Sequence, residues 1–351
     1  MKTTNLIPTK RIASWLVVLS SLVAVLILWG GIVRLSGSGL SIPEWPIING
    51  SLLPPFTTTG WETVYHTYYA ETHGSQDSQT ADTLDLSKFQ RMFAIEYFHR
   101  FLAAVVGIVF LAIFLRARKL PDVWKLAKGR LIAAAIVLVL QAGLGGLVVK
   151  LDLPSAAVAL HLGTAFLLLS LLLWTAMELA RAGESVIAEQ KKLRGLGWAA
   201  THTVLLQVMT GGLVAGTGAG LLLNTWPKMG SYWMPPVTLL WSNWYTPAIM
   251  NLFQNQVLIQ FMHRWLAFIA AGVVIALVMR TISLPLTARG RTALRAVASV
   301  LVLQILLGIG NLLMKVPFWM AFAHLAAGLL LFLTLLVITH EIAYAPAEET
   351  A

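Results

Sequence analysis

Cysteine is absent from this 351-residue chain. Disulfides, iron–sulfur clusters and thiolate-ligated metals are therefore excluded. So is a haem attached covalently through Cys-x-x-Cys-His. Charge is nearly as scarce, at 11% of residues against roughly a quarter in an ordinary soluble domain. A large soluble core cannot explain the deficit, because a soluble surface needs polar cover at any size. Acidic residues are the scarcer sign, 15 against 25 basic, which leaves a net charge of +10. A basic balance can signal nucleic-acid binding. Here the basic residues sit in short segments between apolar runs, which reads instead as a membrane protein obeying the positive-inside rule.

What the chain has in abundance is apolar sequence, 58% of it. A bilayer core about 30 Å thick needs about 20 apolar residues per helix. Runs of that kind lie near 12–33, 93–115, 131–149, 156–179, 196–216, 257–279, 293–313 and 319–341. The expectation is an all-α polytopic membrane protein of eight transmembrane helices. The fifth run is the weakest, being rich in Gly and Thr toward its end. The first is too long for a signal-peptide core and has no clean cleavage site after it, so it counts as a helix. With the N-terminus in the cytoplasm, the inner segments hold most of the Lys and Arg, among them Lys10, Arg11, Arg116, Arg118, Lys119, Lys191, Lys192, Arg194, Arg289 and Arg291. Both termini are thus expected on the cytoplasmic side of a bacterial inner or plasma membrane.

Self-comparison shows a duplication. At a shift of 181, Gly30-Gly31 falls on Gly211-Gly212, Gly39 on Gly220, Trp45-Pro46 on Trp226-Pro227, and Pro54-Pro55 on Pro235-Pro236. His99-Arg100 then matches His263-Arg264 at a shift of 164. Gln141 and His161 match Gln304 and His324 at 163. The first outer loop, about 34–92, is therefore longer than its partner at about 217–256. Four spans per half return the chain to its starting side. This predicts two tandem four-helix bundles related by a pseudo-twofold axis along the membrane normal. Residues 1–180 form the first half, 181–195 a cytoplasmic linker and 196–351 the second half. The middle of the first outer loop, His73 to Asp85, reads as polar and mobile. Trp45, Trp61, Trp226, Trp233, Trp241 and Trp244 read as interfacial anchors.

Of eight histidines, His66 and His73 fall in the first outer loop and read as solvated. His202 and His340 fall near inner helix ends, where headgroup contact suffices. The other four, His99, His161, His263 and His324, each lie early in a span that runs from outside to inside, at similar depth near the outer face. An ionisable residue inside a membrane helix is costly and marks function. A lone histidine could simply bond a neighbouring helix, but four at matched spacings in a duplication argue for ligands. Zinc wants four ligands in tight geometry, usually with Cys or carboxylate help; copper is open. A haem takes two axial imidazoles from opposite sides of an apolar slot. Small residues nearby, such as Ala103, Gly107, Gly163, Ala267 and Gly328, leave room for a flat ring. The best reading is two bis-histidine haem sites, one per half: His99 with His161, and His263 with His324. Arg100 and Arg264 could pair with haem propionates or extend to the outer interface.

The halves also differ. Glu96 stands three residues before His99, on the same helix face, whereas Gln260 holds that place before His263. Arg34 matches Ala215, and Glu44 matches Thr225. A carboxylate beside only one site could handle protons or stabilise a developing cation. It could also be an interfacial Glu paired with Arg34, Arg91 or Arg100.

The segment Gly30-Gly31-Ile32-Val33-Arg34-Leu35-Ser36-Gly37-Ser38-Gly39-Leu40-Ser41, followed by Glu44-Trp45-Pro46 and Pro54-Pro55, resembles the haem A synthase family. Glu96-Tyr97-Phe98-His99-Arg100 and the Gln141…His161 and Gln304…His324 spacings resemble it too, and the likeness covers nearly the whole chain. Members of that family oxidise the C8 methyl of haem O to a formyl group, giving haem A for cytochrome oxidases. The resemblance implies substrate haem O at His99 and His161, a catalytic role for Glu96, and haem b at His263 and His324. It implies an electron acceptor of unidentified kind, with haem O synthase and cytochrome oxidase assembly factors as partners. Many bacterial members carry a cysteine pair in the first outer loop. Ile42 and Ile48 stand in that region here, which aligns the chain with the cysteine-free branch that includes mitochondrial members.

A six-coordinate iron has no open site, so either one histidine leaves it or the macrocycle loses electrons to an outer acceptor. In the second case Glu96 could stabilise the positive carbon that water attacks. Two rivals make different predictions. A dihaem membrane cytochrome for electron transfer needs no Glu96/Gln260 difference. A parallel-repeat transporter would place its polar groups near the bilayer midplane.

Overall fold

The computed structural model describes residues 7–47, 50–73, 85–184 and 191–344, all helix and loop with no strand among them. Seven helices are long and apolar enough to cross a bilayer. They are α1 (Ile7–Leu35), α3 (Leu86–Arg118), α4 (Pro121–Lys150), α5 (Ser155–Ala180), α9 (Gln256–Thr281), α10 (Ala288–Leu313) and α11 (Phe318–Ile342). The chain is thus a multi-pass integral membrane protein. The eighth expected span falls in α6 (Lys191–Thr217), of 27 residues, which does not reach that apolarity. Its first turn is basic, and Thr201, His202, Thr203, Gln207 and Thr210 dilute the rest.

The helices overrun the apolar runs because polar turns continue them beyond the bilayer. α3 starts at Leu86 rather than near 93, since Asp85 caps it by accepting from the Lys88 amide at 2.6 Å. Its 33 residues span about 50 Å at 1.5 Å per residue, well over the bilayer core. The Asp85 carboxyl is held below its ordinary pKa, first by that backbone hydrogen bond and then by the Ser87 hydroxyl. α2 (Thr58–His73) occupies part of the long loop after α1, which the sequence pattern does not mark as helical. It packs on the protruding start of α3, where Ile42, Val64, Tyr68, Phe89 and Phe93 form a small separate core. The expected mobile stretch from His73 lies largely outside the described residues, as does Ile48. In the second outer loop, two single-turn helices, α7 (Val237–Leu240) and α8 (Asn251–Gln254), are joined through buried Asn251 and Asn255.

Within the first half, α1 packs on α3 and α5, and α4 packs on α3 and α5. Within the second, α6 packs on α9 and α11, and α10 on α9 and α11. Between them, α5 meets α6, α1 meets α11, and α5 meets α11. Two glycines permit this approach. A methyl group on Gly31 would stand 2.3 Å from Leu325, and one on Gly212 would stand 3.2 Å from the Ala159 Cα and 3.4 Å from Leu162. Arg34 of α1 reaches across and donates to the carbonyls of Ala215 (2.6 Å) and Gly216 (3.3 Å) at the end of α6.

The C-terminal ends of α5 and α11 correct the expectation for His340. It is fully buried, not in contact with headgroups. Beside it Glu341, also buried, accepts from Arg181 at 2.5 Å and from the Thr287 hydroxyl at 2.6 Å. Arg181 also pairs with Glu184 at 2.6 Å, so this cluster ties the end of α5 to α11 and to the cap of α10. His202 is exposed and bonds back to the Trp198 carbonyl at 2.7 Å. His66 is exposed on α2, as expected.

Candidate paired-histidine sites

His99 lies on α3 and His161 on α5. These helices stand diagonally across the first four-helix group, each packed on α1 and α4 and little on one another. His263 on α9 and His324 on α11 repeat the arrangement in the second group. Each pair read from the sequence thus falls on the two diagonal helices of one group. The diagonal placement leaves the middle of each group between two facing imidazoles.

Every one of these rings rests on a glycine of a neighbouring helix. A methyl group built on Gly30, Gly145, Gly211 or Gly308 would stand 3.2, 3.2, 3.3 or 2.9 Å from Cε1 of His99, His161, His263 or His324 respectively. A glycine therefore lets each ring lie flat against the adjacent backbone. The repeat made Gly30 and Gly211 visible as a matched pair, but it gave no sign that they touch the histidines.

The rings' hydrogen bonds differ. The Gln207 amide nitrogen lies 3.1 and 3.3 Å from the two nitrogens of His263 and donates to its carbonyl at 3.0 Å. The Thr210 hydroxyl lies 2.9 Å from His263 Nδ1. Gln141 lies 3.4 Å from His161 Nε2 and donates to its carbonyl at 3.1 Å. Gln304 lies 3.5 Å from His324 Nε2. Nδ1 of His99, His161 and His324 is buried with no hydrogen-bond partner among the described residues. Gln207 and Thr210 are new to the site. Gln141 and Gln304 were visible in the sequence as spacing alone.

Glu96 is 3% exposed, one turn outward from His99. Its Oε2 accepts from the Ser41 hydroxyl at 2.8 Å and from the Ile42 amide at 3.0 Å, and its Oε1 pairs with Arg100 at 2.6 Å. Of the three partners considered for it, Arg100 is the one it takes. Arg100 also donates to the carbonyls of Glu44 (2.6 Å) and Ile42. The second half repeats the scheme with the polarity of one contact reversed. Arg264 donates to the carbonyls of Thr225 (2.9 Å), Leu223 (2.8 Å) and Lys228 (3.1 Å). Thr225 and Leu223 are the repeat counterparts of Glu44 and Ile42. Gln260 donates to the Leu222 carbonyl at 2.6 Å, and Leu222 is the counterpart of Ser41. So the loop offers donors where a carboxylate stands and an acceptor where an amide stands. Trp45 and Trp226 are partly exposed, while Trp61 departs from the anchor reading by packing on Phe93.

Do these residues suit a haem? Two facing nitrogen ligands per site, each on a separate helix, match an axial pair. Among the described residues no group of three or more His, Asp or Glu could hold a metal ion by itself, which disfavours zinc. On His99, His161 and His324 the buried Nδ1 has no partner among the described residues, so each ring keeps coordinating capacity that no protein group takes up. The donor set fits a bis-imidazole haem.

Fold and site together define a multi-pass membrane protein with four histidines on its spanning helices. A family model described as cytochrome oxidase assembly protein matches residues 13–336, and the chain belongs to that family. Relatives named heme A synthase include one from Nitrosospira multiformis, 34% identical over 342 residues that cover 95% of this chain and 94% of the relative. Another, from Paracoccus denitrificans, is 34% identical and covers 94% and 87%. A third, from Methylorubrum extorquens, is 35% identical and covers 89% and 82%.

Proposed function

We propose that the chain is a haem A synthase, a haem-modifying oxidoreductase that converts the C8 methyl of haem O to the formyl group of haem A. Near-full-length similarity to proteins of that name carries the reading, and the two facing histidine pairs support it. Haem O would sit between His99 and His161 in the first half, residues 1–180. A resident haem b would sit between His263 and His324 in the second, residues 196–351, beyond the linker 181–195. When bound, haem b supplies one-electron redox chemistry. Turning a methyl group and one water into a formyl group releases four electrons and four protons, so the reaction needs an electron acceptor. Partnership with haem O synthase and with cytochrome oxidase assembly factors follows from the same reading.

We also propose the finer architecture: α6 as an eighth span, two tandem bundles about a pseudo-twofold axis, both termini cytoplasmic and both haem sites near the outer face. The contacts come in exchanged pairs, α5 with α6 and α11 with α1, and Gly31 with Leu325 mirrors Gly212 with Leu162. The 27-residue length of α6 and its place among α5, α9 and α11 support its crossing.

Within the site, Glu96 is assigned as the catalytic carboxylate. Ion-paired and held by two further donors, it acts as a fixed negative charge that favours positive charge developing at the methyl carbon. Arg100 and Arg264 pin the outer loops over the two sites. Nε of Arg264 is buried without a partner among the described residues, which leaves a donor for a haem propionate. The test is to purify the protein from cells that make haem O and identify its extracted haems. Haem b with haem O, a hydroxylated intermediate or haem A is the expected result, with His99→Ala removing haem O and His263→Ala removing haem b. Haem b alone, in the presence of abundant haem O, would favour the electron-transfer cytochrome instead.

A further inference from the structure

We propose that a groove between α4, α5 and α6, at the end of the bundle away from the four histidines, is a site for one anionic phospholipid. Its phosphodiester rests on the Arg130 guanidinium, and one acyl chain runs along Leu167, Leu171 and Leu205. The inference stands on the membrane-spanning character of the chain and needs no haem at either histidine pair.

A cavity of about 280 Å³ lies between these helices. Pockets that enclose a whole small-molecule ligand run to about 300–1,000 Å³. This one is open on one side, so it suits a head group and the start of a chain. α5 packs on both α4 and α6 and lines the groove with Leu167, Leu171 and Trp174, while α6 adds Trp198, His202 and Leu205. Arg130 immediately precedes the apolar run of α4, and Trp174 lies near the end of that of α5. The groove therefore sits where the apolar core of a bilayer gives way to head groups. Trp174 is 13 residues beyond His161 on α5, about 20 Å along the helix, which separates the groove from the paired-histidine sites.

The head of the groove is basic. Arg130 donates to the Leu126 carbonyl of its own helix at 3.0 Å. Its Nε is buried with no hydrogen-bond partner, and no carboxylate among the described residues pairs with it. The guanidinium thus has donors to spare, and its fork matches the two free oxygens of a phosphodiester. His202 turns Nδ1 to the Trp198 carbonyl at 2.7 Å. A carbonyl only accepts, so Nδ1 is the donor and Nε2 is left to accept from a head-group hydroxyl. Trp174 and Trp198 form an aromatic wall, their ring centroids 4.5 Å apart, and Leu167 is 41% exposed. Lys125, Lys128, Lys191, Lys192 and Arg194 lie at the same end and outnumber Asp122 and Glu178, the latter paired with Arg194 at 3.9 Å. Such a basic rim favours an anionic lipid over a zwitterionic one.

The duplication supplies an internal comparison. At the shifts of 163 and 181 that align the halves, Arg130 falls on Ala293, Trp174 on Val337, Trp198 on Val17 and His202 on Ser21. The basic and aromatic members of the groove have no counterparts, so they are not part of the scaffold that the halves share.

The test uses full-length protein in detergent, stripped of lipid. It is titrated with phosphatidylglycerol, with phosphatidylcholine of the same chains or with inorganic phosphate, and bound lipid is counted by native mass spectrometry. One phosphatidylglycerol should bind at least tenfold more tightly than phosphatidylcholine. Arg130→Ala should abolish that preference, while Arg295→Ala, which removes an equal charge from α10, should leave it. Leu205→Trp, which fills the apolar part of the groove, keeps the test open if the first variant misfolds and should weaken phosphatidylglycerol about tenfold. Equal binding of the two lipids, or phosphatidylglycerol binding that neither Arg130→Ala nor Leu205→Trp moves, would overturn the inference. So would displacement of phosphatidylglycerol by an equal concentration of inorganic phosphate, which would mark an anion site without a lipid. The extracted haems report on the proposed function separately, and neither variant should change them.

Discussion

Replacing Glu96 by Gln copies the other half, yet the structure says the copy will not fit. The carboxylate accepts from Ser41, from the Ile42 amide and from Arg100. An amide has one acceptor for these two groups of donors. If its oxygen keeps Ser41 and Ile42, its NH2 faces the Arg100 guanidinium. If it turns, the NH2 faces the Ile42 N–H, which cannot turn away. A buried donor left without an acceptor costs about 1–3 kcal/mol. Arg100 keeps the carbonyls of Glu44 and Ile42, so the full 3–5 kcal/mol of a broken buried ion pair is not expected. Anchoring of the 38–44 loop should therefore weaken by about 2 kcal/mol, or roughly thirtyfold in its closed-to-open ratio. Removing a catalytic group costs about 10²–10⁴ in rate. Two assays separate the effects: proteolytic nicking of the first outer loop, and single-turnover conversion of bound haem O. Arg100→Gln, which loosens the same loop while leaving the carboxylate, is the control. The expected result is comparable nicking in the two variants, with turnover at least a hundredfold lower in Glu96→Gln than in Arg100→Gln. Equal turnover in the two would refute a chemical role and reduce Glu96 to an anchor of the loop.

The converse substitution, Gln260→Glu, sets a carboxylate against the Leu222 carbonyl that now accepts from the amide. It should lower thermal stability and haem b content, by about 1–3 kcal/mol for the lost donor, and loss should be larger at alkaline pH than at acid pH, where a protonated carboxyl can still donate. At the C-terminal end of α5, Arg181→Ala removes the nearer of two guanidiniums facing buried Glu341, Arg289 standing at 3.8 Å. Breaking a buried pair from one side costs about 3–5 kcal/mol, so detergent thermal denaturation should show a much lower midpoint. Arg181→Lys should restore part of it, and an unchanged midpoint in Arg181→Ala would show that Glu341 has other compensation.

Seven of the eight expected spans were legible in the sequence because apolar length leaves a linear mark; the expected duplication and the four histidines were read from marks of the same kind, a fixed shift and a costly residue inside an apolar run. α2 was not legible, since its apolar face is short and aromatic (Trp61, Val64, Tyr65 and Tyr68) and it gains stability by resting on α3. Nor was the burial of His340. Apolar length says that a segment enters the membrane, but not which side of it meets another helix. Glu96 was singled out by its difference from Gln260, yet its contact with Ser41 spans 55 residues and depends on how the loop folds back. The glutamines at 141 and 304 marked a spacing. Their contact with the rings needed the helix pairing.

Arg34 carries a consequence for how such a chain can have arisen. Its acceptor, the carbonyl of Ala215, belongs to its own counterpart in the duplication. A residue that meets its own counterpart lies where an exchange of the halves maps a point onto itself. In a dimer of two identical first halves, two guanidiniums would converge on that point and repel. In a dimer of two second halves, two alanines would leave the carbonyls without the donor. The present pairing therefore exists only between unlike halves. Once one side carried arginine and the other alanine, the interface could form only between two halves that had diverged.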